Sequence, residues 1–468
     1  MRGRTRRTMW RTGLLPRLCT LFALFALFVS PGVPTAAAAG DASYGFAPGA
    51  RTVVGGQGTA DAGRLEPGGI YRSSLPGAGS LSYRIRLTAG DTAYVPVTAV
   101  PPADATVSST DGISVTVQDA GGMRCSFASA RFGAALSPHP VTAVGERETG
   151  RSLCQGGGTY YVIVQRLGTG GSGTTTGTTL GTTPGTTSGA TPTVGSERPW
   201  DLEIAPATEP RTARAGATTA PRTWDSATPE PLGGTPRERS GGTGFASARA
   251  LDQGVWRTGL VPGETRFYKV PLDWGRQLHA SAELGAAAGQ GYVGGALDLS
   301  LHNPVRGTVE DTALGYTGTA RPAVLGPVPP VEYANRYAVP AAVTSVRFAG
   351  DYYLVLHLSE RLTGTFGRGP FAVTLRVQVS GQAHAGPQYA GRPVPADVFT
   401  ATEQDPAAAL TGATGSTGSA GGGGGDPVLK LVAAGGIGTG TLLLAVLGGW
   451  TLAARRSQTR ASAQKPTA

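Results

Sequence analysis

Hydrophobic and polar side chains alternate over short stretches in the middle of the chain. Residues 83–87 read Tyr-Arg-Ile-Arg-Leu, and residues 113–117 read Ile-Ser-Val-Thr-Val. Because successive side chains of a β-strand point to opposite faces, this period of two predicts strands with one buried face. Residues 160–164 and 352–356 are apolar throughout, which predicts central strands covered on both faces. Between residues 40 and 426 no long stretch carries the 3.6-residue period of a helix, so we expect an all-β body.

These strand patterns occur twice in the same order. Gly69-Ile-Tyr-Arg72 recurs as Gly254-Val-Trp-Arg257. Further segments recur in step: 83–87 as 268–272, 113–117 as 297–301, 158–164 as 350–356, and 199–204 as 370–375. Because Tyr and Trp are rare in this chain, the recurrence predicts one structural unit present in two copies. We therefore expect two jelly-roll-like antiparallel β-sandwiches in tandem.

Some residues recur at equivalent positions and are expected to have structural roles: Arg72 and Arg257, Tyr83 and Tyr268, and Gly90 and Gly275. Each of the two arginines follows an aromatic residue. We expect a shared structural contact, such as a guanidinium stacked on the ring, and a duplicated ligand site is the alternative.

The order Gly-x-aromatic, Leu-x-x-Gly, Tyr-x-Val-x-Leu-x-x-Gly and Gly-x-Tyr-Tyr-Leu-Val-Leu resembles the pre-peptidase C-terminal domain of secreted bacterial proteins. The resemblance covers residues 64–205 and 243–380. It implies a jelly-roll-like β-sandwich that acts as an accessory module, often beside a protease, and that binds or positions other molecules. The chain departs from this pattern because no peptidase domain accompanies the two copies. The whole layout is similar to that of actinobacterial surface proteins.

Both ends of the chain combine an apolar segment with positive charge. Residues 1–39 contain arginines, a short apolar run and a string of alanines, the order of a secretory signal peptide. An N-terminal anchor is the alternative, but the run is short for a bilayer. Residues 428–454 contain an uncharged stretch long enough to span a membrane as a helix, and a basic tail follows at 455–468. We therefore expect a single-pass cell-membrane protein with an extracytoplasmic body and a cytoplasmic tail.

Charge and composition refine this picture. The net charge of +10 lies at the two ends, since residues 1–39 and 455–468 contain basic residues and no acids. The neutral body excludes a nucleic-acid-binding surface. Composition divides that body into the following expected parts: sandwich 1 over 40–206 with a disordered Thr/Gly insert at 168–197, a linker at 207–242, sandwich 2 over 243–380, and a Gly/Ala/Pro-rich stalk at 381–427.

Two cysteines remain after removal of the signal peptide. Cys125 and Cys154 are an even pair in an exported chain, which predicts a disulfide. A reactive thiol or a metal site is the alternative and would need further ligands nearby. The second copy has no cysteine at matching positions, so the bridge is expected to reinforce a long loop of the first copy alone.

Motifs of catalysis are absent from the sequence. It contains no Gly-x-Ser-x-Gly, His-Glu-x-x-His, Cys-x-x-Cys or EF-hand loop. His279 and His357 lie in strand-like segments, where a structural ring is expected, and no histidine spacing demands a metal. Asp298 and Asn303 flank a strand in the manner of calcium-binding loops, but the copy-one match to Asp298 is Ser114. We expect no cofactor and no metal site.

These features favour a non-enzymatic surface protein. Its sandwiches are expected to bind or support an extracytoplasmic protein or a cell-envelope polymer such as a glycan. The alternative is a divergent secreted hydrolase, or a peptidase-associated protein, with a site built from loops. Three or more His, Asp, Glu or Ser side chains meeting in one deep pocket would favour the alternative.

Overall fold

A computed structural model describes residues 43–150, 153–168 and 198–401. The expected signal peptide, nearly all of the Thr/Gly insert, the expected membrane helix and the basic tail lie outside the described residues. Within these three ranges, no helix has the length and apolar character needed to cross a membrane.

The described chain is built almost entirely from β-strands, in two successive groups. The first module contains β1 (Arg51–Thr52), β2 (Gly63–Leu65), β3 (Tyr71–Leu75), β4 (Ser80–Leu87), β5 (Asp91–Val100), β6 (Gly112–Asp119), β7 (Arg124–Arg131), β8 (Val141–Arg147), β9 (Gly158–Leu167), β10 (Trp200–Ile204) and β11 (Ala207–Pro210). The second module contains β12 (Arg237–Glu238), β13 (Arg249–Ala250), β14 (Gly254–Leu260), β15 (Thr265–Leu272), β16 (Gln277–Leu284), β17 (Val293–His302), β18 (Thr308–Tyr316), β19 (Arg321–Val324), β20 (Gly350–Leu358) and β21 (Phe371–Ser380). Short helices α1 (Ala341–Thr344) and α2 (Leu362–Phe366) and 3₁₀ turns at Gly133–Ala135, Phe245–Ser247 and Tyr333–Tyr337 complete the described elements.

Each module pairs its strands into two sheets with the same strand order. The first module has β2-β4-β9-β6-β7 and β1-β3-β10-β5, with β8 and β11 also paired to β5. The second has β13-β15-β20-β17-β18 and β12-β14-β21-β16-β19. All pairs are antiparallel except those made by β1, β2, β12 and β13, which run parallel to their neighbours. The expected antiparallel pairing therefore fails at the entry to each module, where the chain visits one sheet and then crosses to the other.

The apolar runs occupy the positions that the sequence predicts. β9 lies between β4 and β6, and β20 lies between β15 and β17, so both are central strands. Val162 and Val164 of β9 and Leu354 and Leu356 of β20 are fully buried in the cores of their modules. The second face of β9 is only half-buried, because its alternate side chains point away from the core.

Two segments expected to be connectors carry structure of their own. β11 begins at the start of the expected linker and pairs with β5 of the first module. Residues 381–401, the start of the expected stalk, return across the fold, where Val394 bridges to Thr208. The backbone N–H of Ala390 donates to the carbonyl of Arg211 at 2.8 Å. The packed body is therefore larger than the two predicted sandwiches.

Candidate functional site

The repeat-equivalent tyrosines occupy the same place in the two modules. Tyr83 donates to Ser73 Oγ at 2.8 Å, and Tyr268 has a side-chain hydrogen bond to Thr258, the equivalent of Ser73. Burial raises the pKa of each tyrosine to about 12. Gly55 and Gly241 lie against these rings, where a Cβ atom would approach the ring at 2.9 Å. In both modules this glycine precedes the crossing between the sheets. Neither glycine was predicted to be structural, although a second glycine follows each of them.

The paired arginines and glycines differ between the modules. Arg72 binds Asp201 at 2.6 Å and stacks on Phe46 at 4.1 Å. The ring that precedes each arginine instead receives another guanidinium, Arg51 over Tyr71 and Arg237 over Trp256. The shared stacking therefore comes from the entry strands β1 and β12 and not from Arg72 and Arg257.

Gly275 and Gly90 also differ in conformation. Gly275 has a φ of +79°, in the left-handed region, and a Cβ atom there would meet the ring of His384 at 2.7 Å. A Cβ atom on Gly90 would have the Arg211 side chain as its nearest neighbour at 3.9 Å. Of these two positions, backbone geometry therefore requires a glycine only at 275.

The predicted disulfide is present. Cys125 on β7 is bonded to Cys154, whose side chain is buried, and the two Cα atoms are 5.5 Å apart. Arg147 supports the same loop by donating to the carbonyls of Gln155 and Gly156 at 2.8 and 2.7 Å. The bridge therefore ties the loop before β9 to the edge strand of the same sheet.

The two modules are packed against each other through buried ion pairs. In each pair the acid belongs to the first module and the arginine to the second: Arg306 with Glu203 at 2.6 Å, Arg336 with Glu209 at 2.8 Å, and Arg347 with Glu146 at 2.8 Å. Glu203 and Glu209 are at most 1% exposed. Because a buried charge without its partner is strongly destabilising, these pairs require the two modules to stay in contact.

Aromatic side chains complete this joint. Tyr94 of β5 packs edge-on against Phe348 at 5.1 Å, and Phe399 stacks on Phe348 at 5.0 Å. On the other side, Tyr44 contacts Phe267 of β15 at 5.7 Å. The joint therefore combines two apolar clusters with buried ion pairs, unlike a flexible connection between separate domains.

A cavity of about 230 Å³ lies within this joint. It is formed between the β7–β8 connection of the first module and the outer face of the β15-β20-β17-β18 sheet of the second. Its lining includes Phe132, His139 and Thr142 from the first module and Phe245, Phe267, Asp298, Ser300, His302, Asp311 and His357 from the second. Three of the five histidines of the chain therefore meet here, together with two aspartates and a serine.

The three imidazoles share one protonation pattern. His139 Nδ1 lies 2.8 Å from the Ser137 carbonyl oxygen, and His302 Nδ1 lies 3.2 Å from that of Arg306. His357 Nδ1 lies 3.0 Å from Thr265 Oγ1, the ring also bonds the Glu264 backbone, and its Nε2 has no partner among the described residues. A carbonyl oxygen can only accept, so Nδ1 of His139 and Nδ1 of His302 carry the hydrogen and their Nε2 atoms carry a lone pair. For His357, the bond to the Glu264 backbone and the unpartnered Nε2 assign the hydrogen to Nδ1 as well.

Burial keeps these rings neutral. It lowers the pKa of His139 and His302 to about 4 and that of His357 well below its usual value. The His139 and His357 rings stack across the joint at 4.6 Å, which also disfavours charging both. Burial acts on Asp298 in the opposite sense and, with the nearby charge of Asp311, raises its pKa to about 7.

Ser300 and His302 form a hydrogen bond inside the cavity. They are two residues apart on β17 and so lie on one face of the strand. Ser300 Oγ is 3.1 Å from His302 Nε2, which accepts because Nδ1 holds the proton. The same face carries Asp298, so residues 298, 300 and 302 alternate with the core leucines 297, 299 and 301.

The remaining predicted positions lie outside the cavity or serve the fold. His279 lies on β16, and His384 binds Glu332 at 2.7 Å. Asp298 is inside β17 and not in a flanking loop. Asn303 Oδ1 accepts the backbone N–H groups of Val305 and Gly307, so it closes a turn and is not available as a calcium ligand. Within the described ranges, no group of three His, Cys, Asp or Glu residues has a geometry that could hold a metal ion.

No protein-family model and no curated protein matches this chain. Among solved structures, it is similar to the CUB1-EGF-CUB2 domain of human MASP-1/3, at 10% identity over 66% of this chain and 99% of that one, with a TM-score of 0.16. It is also similar to the CBM22-1-CBM22-2 tandem domain from Paenibacillus barcinonensis Xyn10C, at 11% identity over 68% and 92% of the two chains, with a TM-score of 0.19. These scores are too low to indicate a function, and the resemblance to the pre-peptidase C-terminal domain stays a prediction.

Proposed function

We propose that this chain is a non-enzymatic, single-pass cell-surface protein whose paired β-sandwich modules bind or support an extracytoplasmic protein or glycan. The buried joint between the modules is the observation that carries this proposal. It turns two modules into one body, so loops and strand edges of both are held in a constant arrangement, as a recognition surface requires. The apolar segments at 1–39 and 428–454 and the resemblance to accessory sandwich domains support the same role.

Affinity capture tests this proposal. The exported body, residues 40–426, is immobilised and exposed to solubilised cell-envelope proteins and polymers over a range of salt concentrations. A defined protein or polymer should be retained. If nothing is retained at any salt concentration, a binding role is contradicted, and the role of a spacer would be favoured instead.

A matched bait shows whether the joint matters. Glu209→Ala removes the carboxylate that Arg336, Tyr94 and Tyr389 share, and so loosens the joint without changing the outer surface. Retention by the original body and loss by a Glu209→Ala body that circular dichroism shows to be folded would indicate that the partner contacts both modules. Equal retention would assign the partner to one module.

A secreted hydrolase is the second candidate, favoured by the three histidines, two aspartates and one serine that line the cavity and by the contact between Ser300 and His302. A base with a pKa of about 4 removes a proton poorly at neutral pH, so we rank this candidate below binding. Labelling with a fluorophosphonate probe tests it, with Ser300→Ala as the control. Labelling that disappears in the Ser300→Ala variant would favour the hydrolase over the binding module.

A further inference from the structure

The cavity in the joint presents hydrogen-bond acceptors from both modules. His139 Nε2 carries a lone pair because its Nδ1 donates to the Ser137 carbonyl. We assign a lone pair to His357 Nε2 too, because the partners of this ring, Thr265 Oγ1 and the Glu264 backbone, can take the hydrogen of Nδ1. Asp298 and Asp311 add carboxylate oxygens from β17 and β18. A ligand of this cavity must therefore supply hydrogen-bond donors.

His357 is the side chain that most needs such a donor. It is 2% exposed, lines the cavity, and its Nε2 has no hydrogen-bond partner among the described residues. Native proteins rarely leave a buried polar atom unpaired, because the atom loses its water without gaining a partner. Asp298 is the direct cross-strand neighbour of His357 on the same face, so one donor group can serve both.

The charges around the cavity favour a cation. Asp298 and Asp311 lie close enough for the charge of one to disfavour that of the other. Arg131 is the positive side chain of the lining, and it is exposed and donates to the Thr110 carbonyl. The three histidines are neutral, so no positive charge in the lining faces the two carboxylates at close range.

The apolar walls and the volume of the cavity fit an organic cation better than a bare metal ion. Phe132, Phe245 and Phe267 line the cavity, and faces of aromatic rings attract organic cations. A volume of about 230 Å³ is below the usual range of drug-sized sites and suits a ring-sized molecule. A metal ion needs three or more converging ligands, and no such group occurs in the described ranges.

We propose that the cavity between the two modules binds a small organic molecule with a primary ammonium group. The ammonium donates to Asp298 and to His357 Nε2, and the body of the molecule contacts the phenylalanine rings. This site goes beyond the proposed partner binding, because it lies inside the joint and its ligand is small.

The protonation state of Asp298 provides a signature. Its pKa of about 7 means that it is largely protonated at pH 6. An ammonium group favours the ionised carboxylate, so binding at pH 6 releases a proton, while binding at pH 8 releases almost none. Asp311, Arg131 and the three histidines also line the cavity, and the histidines stay neutral in this interval because burial lowers their pKa values.

Calorimetry on the purified full chain tests the proposal with cyclohexylamine and cyclohexanol as probes. The two molecules have similar shape and differ in the ammonium group. At pH 8 cyclohexylamine should bind at least about tenfold more tightly, since a hydrogen bond between charged groups is lost with the alcohol. At pH 6 its apparent heat should depend on the ionisation enthalpy of the buffer. Equal affinity for the two probes would overturn the proposal, and this comparison needs no variant.

Variants locate the site. Asp298→Asn should weaken cyclohexylamine binding about tenfold and abolish proton release, and His357→Phe should weaken binding while it keeps an aromatic ring against His139. Glu310→Gln on β18 is the control, because Glu310 is not part of the cavity lining, and it should bind like the original chain. Unchanged binding in both cavity variants would overturn the proposal. Binding of Zn²⁺ alone that displaces the amine and requires His139 and His357 would also overturn it, in favour of a metal site.

Discussion

The two modules share their inward-facing residues and differ in those that face outward. On β6 the core residues are Ile113, Val115 and Val117, and on β17 they are the leucines at 297, 299 and 301. The residues between them are Ser114, Thr116 and Gln118 in the first module and Asp298, Ser300 and His302 in the second. On the central strands, Gln165 corresponds to His357.

This difference separates the requirements of folding from those of the joint. A strand needs apolar side chains at alternate positions on its core face, and the core residues meet that need in both copies. The outer face is free to vary, and in the second module it carries the side chains that line the cavity. The outer face of β6 thus carries uncharged polar residues, whereas the outer face of β17 carries the side chains that line the cavity.

The largest expected effect comes from the strand that has no counterpart in the second module. Glu209 on β11 binds Arg336 and accepts from Tyr94 and Tyr389. Glu209→Ala removes the carboxylate that balances the charge of the buried Arg336, which should lower the free energy of unfolding by about 3–5 kcal/mol. Urea unfolding of the exported body measures this loss.

The control for this variant is an exposed pair in the same module. Glu66 binds Arg64, whose side chain is 72% exposed, so Glu66→Ala should cost less than about 1 kcal/mol. Equal losses in the two variants would mean that β11 does not stabilise the joint.

The disulfide gives the next effect, and it is confined to one module. Replacing Cys125 and Cys154 together with serine opens a loop with a sequence separation of 29. The chain-entropy model predicts a loss of about 3.6 kcal/mol for a loop of this length. Hydrogen exchange should accelerate in β6, β7 and β9 before it changes in β17 and β20. Simultaneous acceleration in both sheets would show that the modules unfold as one unit.

A fall in pH should destabilise mainly the second module and the joint. The pKa of His302 is lowered to about 4 in the folded chain, so the unfolded chain binds a proton that the folded chain does not between pH 6.5 and 4. Stability is therefore lost as the pH falls through this interval, by about 1.4 kcal/mol per unit for each such histidine. The raised pKa of Asp298 acts in the opposite direction, so its contribution offsets the stability lost through about one histidine.

Nuclear magnetic resonance titration separates these groups. The His139 and His302 rings should stay neutral down to about pH 4, whereas hydrogen bonding to Glu332 raises the pKa of His384 and makes it titrate first. His139 or His302 signals that titrate near pH 6.5 would mean that the joint is open to water.

Much of the fold was predictable because it depends on local period. The alternation at 83–87 and the apolar runs at 160–164 and 352–356 depend on which side of a strand each residue faces, and strand neighbours follow the repeat. The entry strands β1 and β12 were missed because two residues are too few to show a period. Their signal was the Gly-Gly pair that follows each one.

The candidate site was not predictable in the same way. His139 and His357 are far apart in sequence, and they meet only because the modules pack together. The local signal was the series Asp298, Ser300, His302, which places three polar, chemically active side chains on one strand face. Of these three residues only Asp298 was considered from the sequence, as a residue flanking a strand, so the shared face was missed.

The smallest expected effect tests whether the modules are equivalent where their sequences agree. Tyr83→Phe removes the hydroxyl that donates to Ser73, and Tyr268→Phe removes the one that bonds Thr258 and the Arg239 carbonyl. Each variant should lose about 1 kcal/mol, because a net hydrogen bond is lost without a change in packing. Tyr268 has one more hydrogen-bond partner than Tyr83, so its loss should be slightly the larger when both are measured by urea unfolding. A loss for Tyr83→Phe alone would mean that the tyrosine supports the first module only and that the duplicated core is not energetically equivalent.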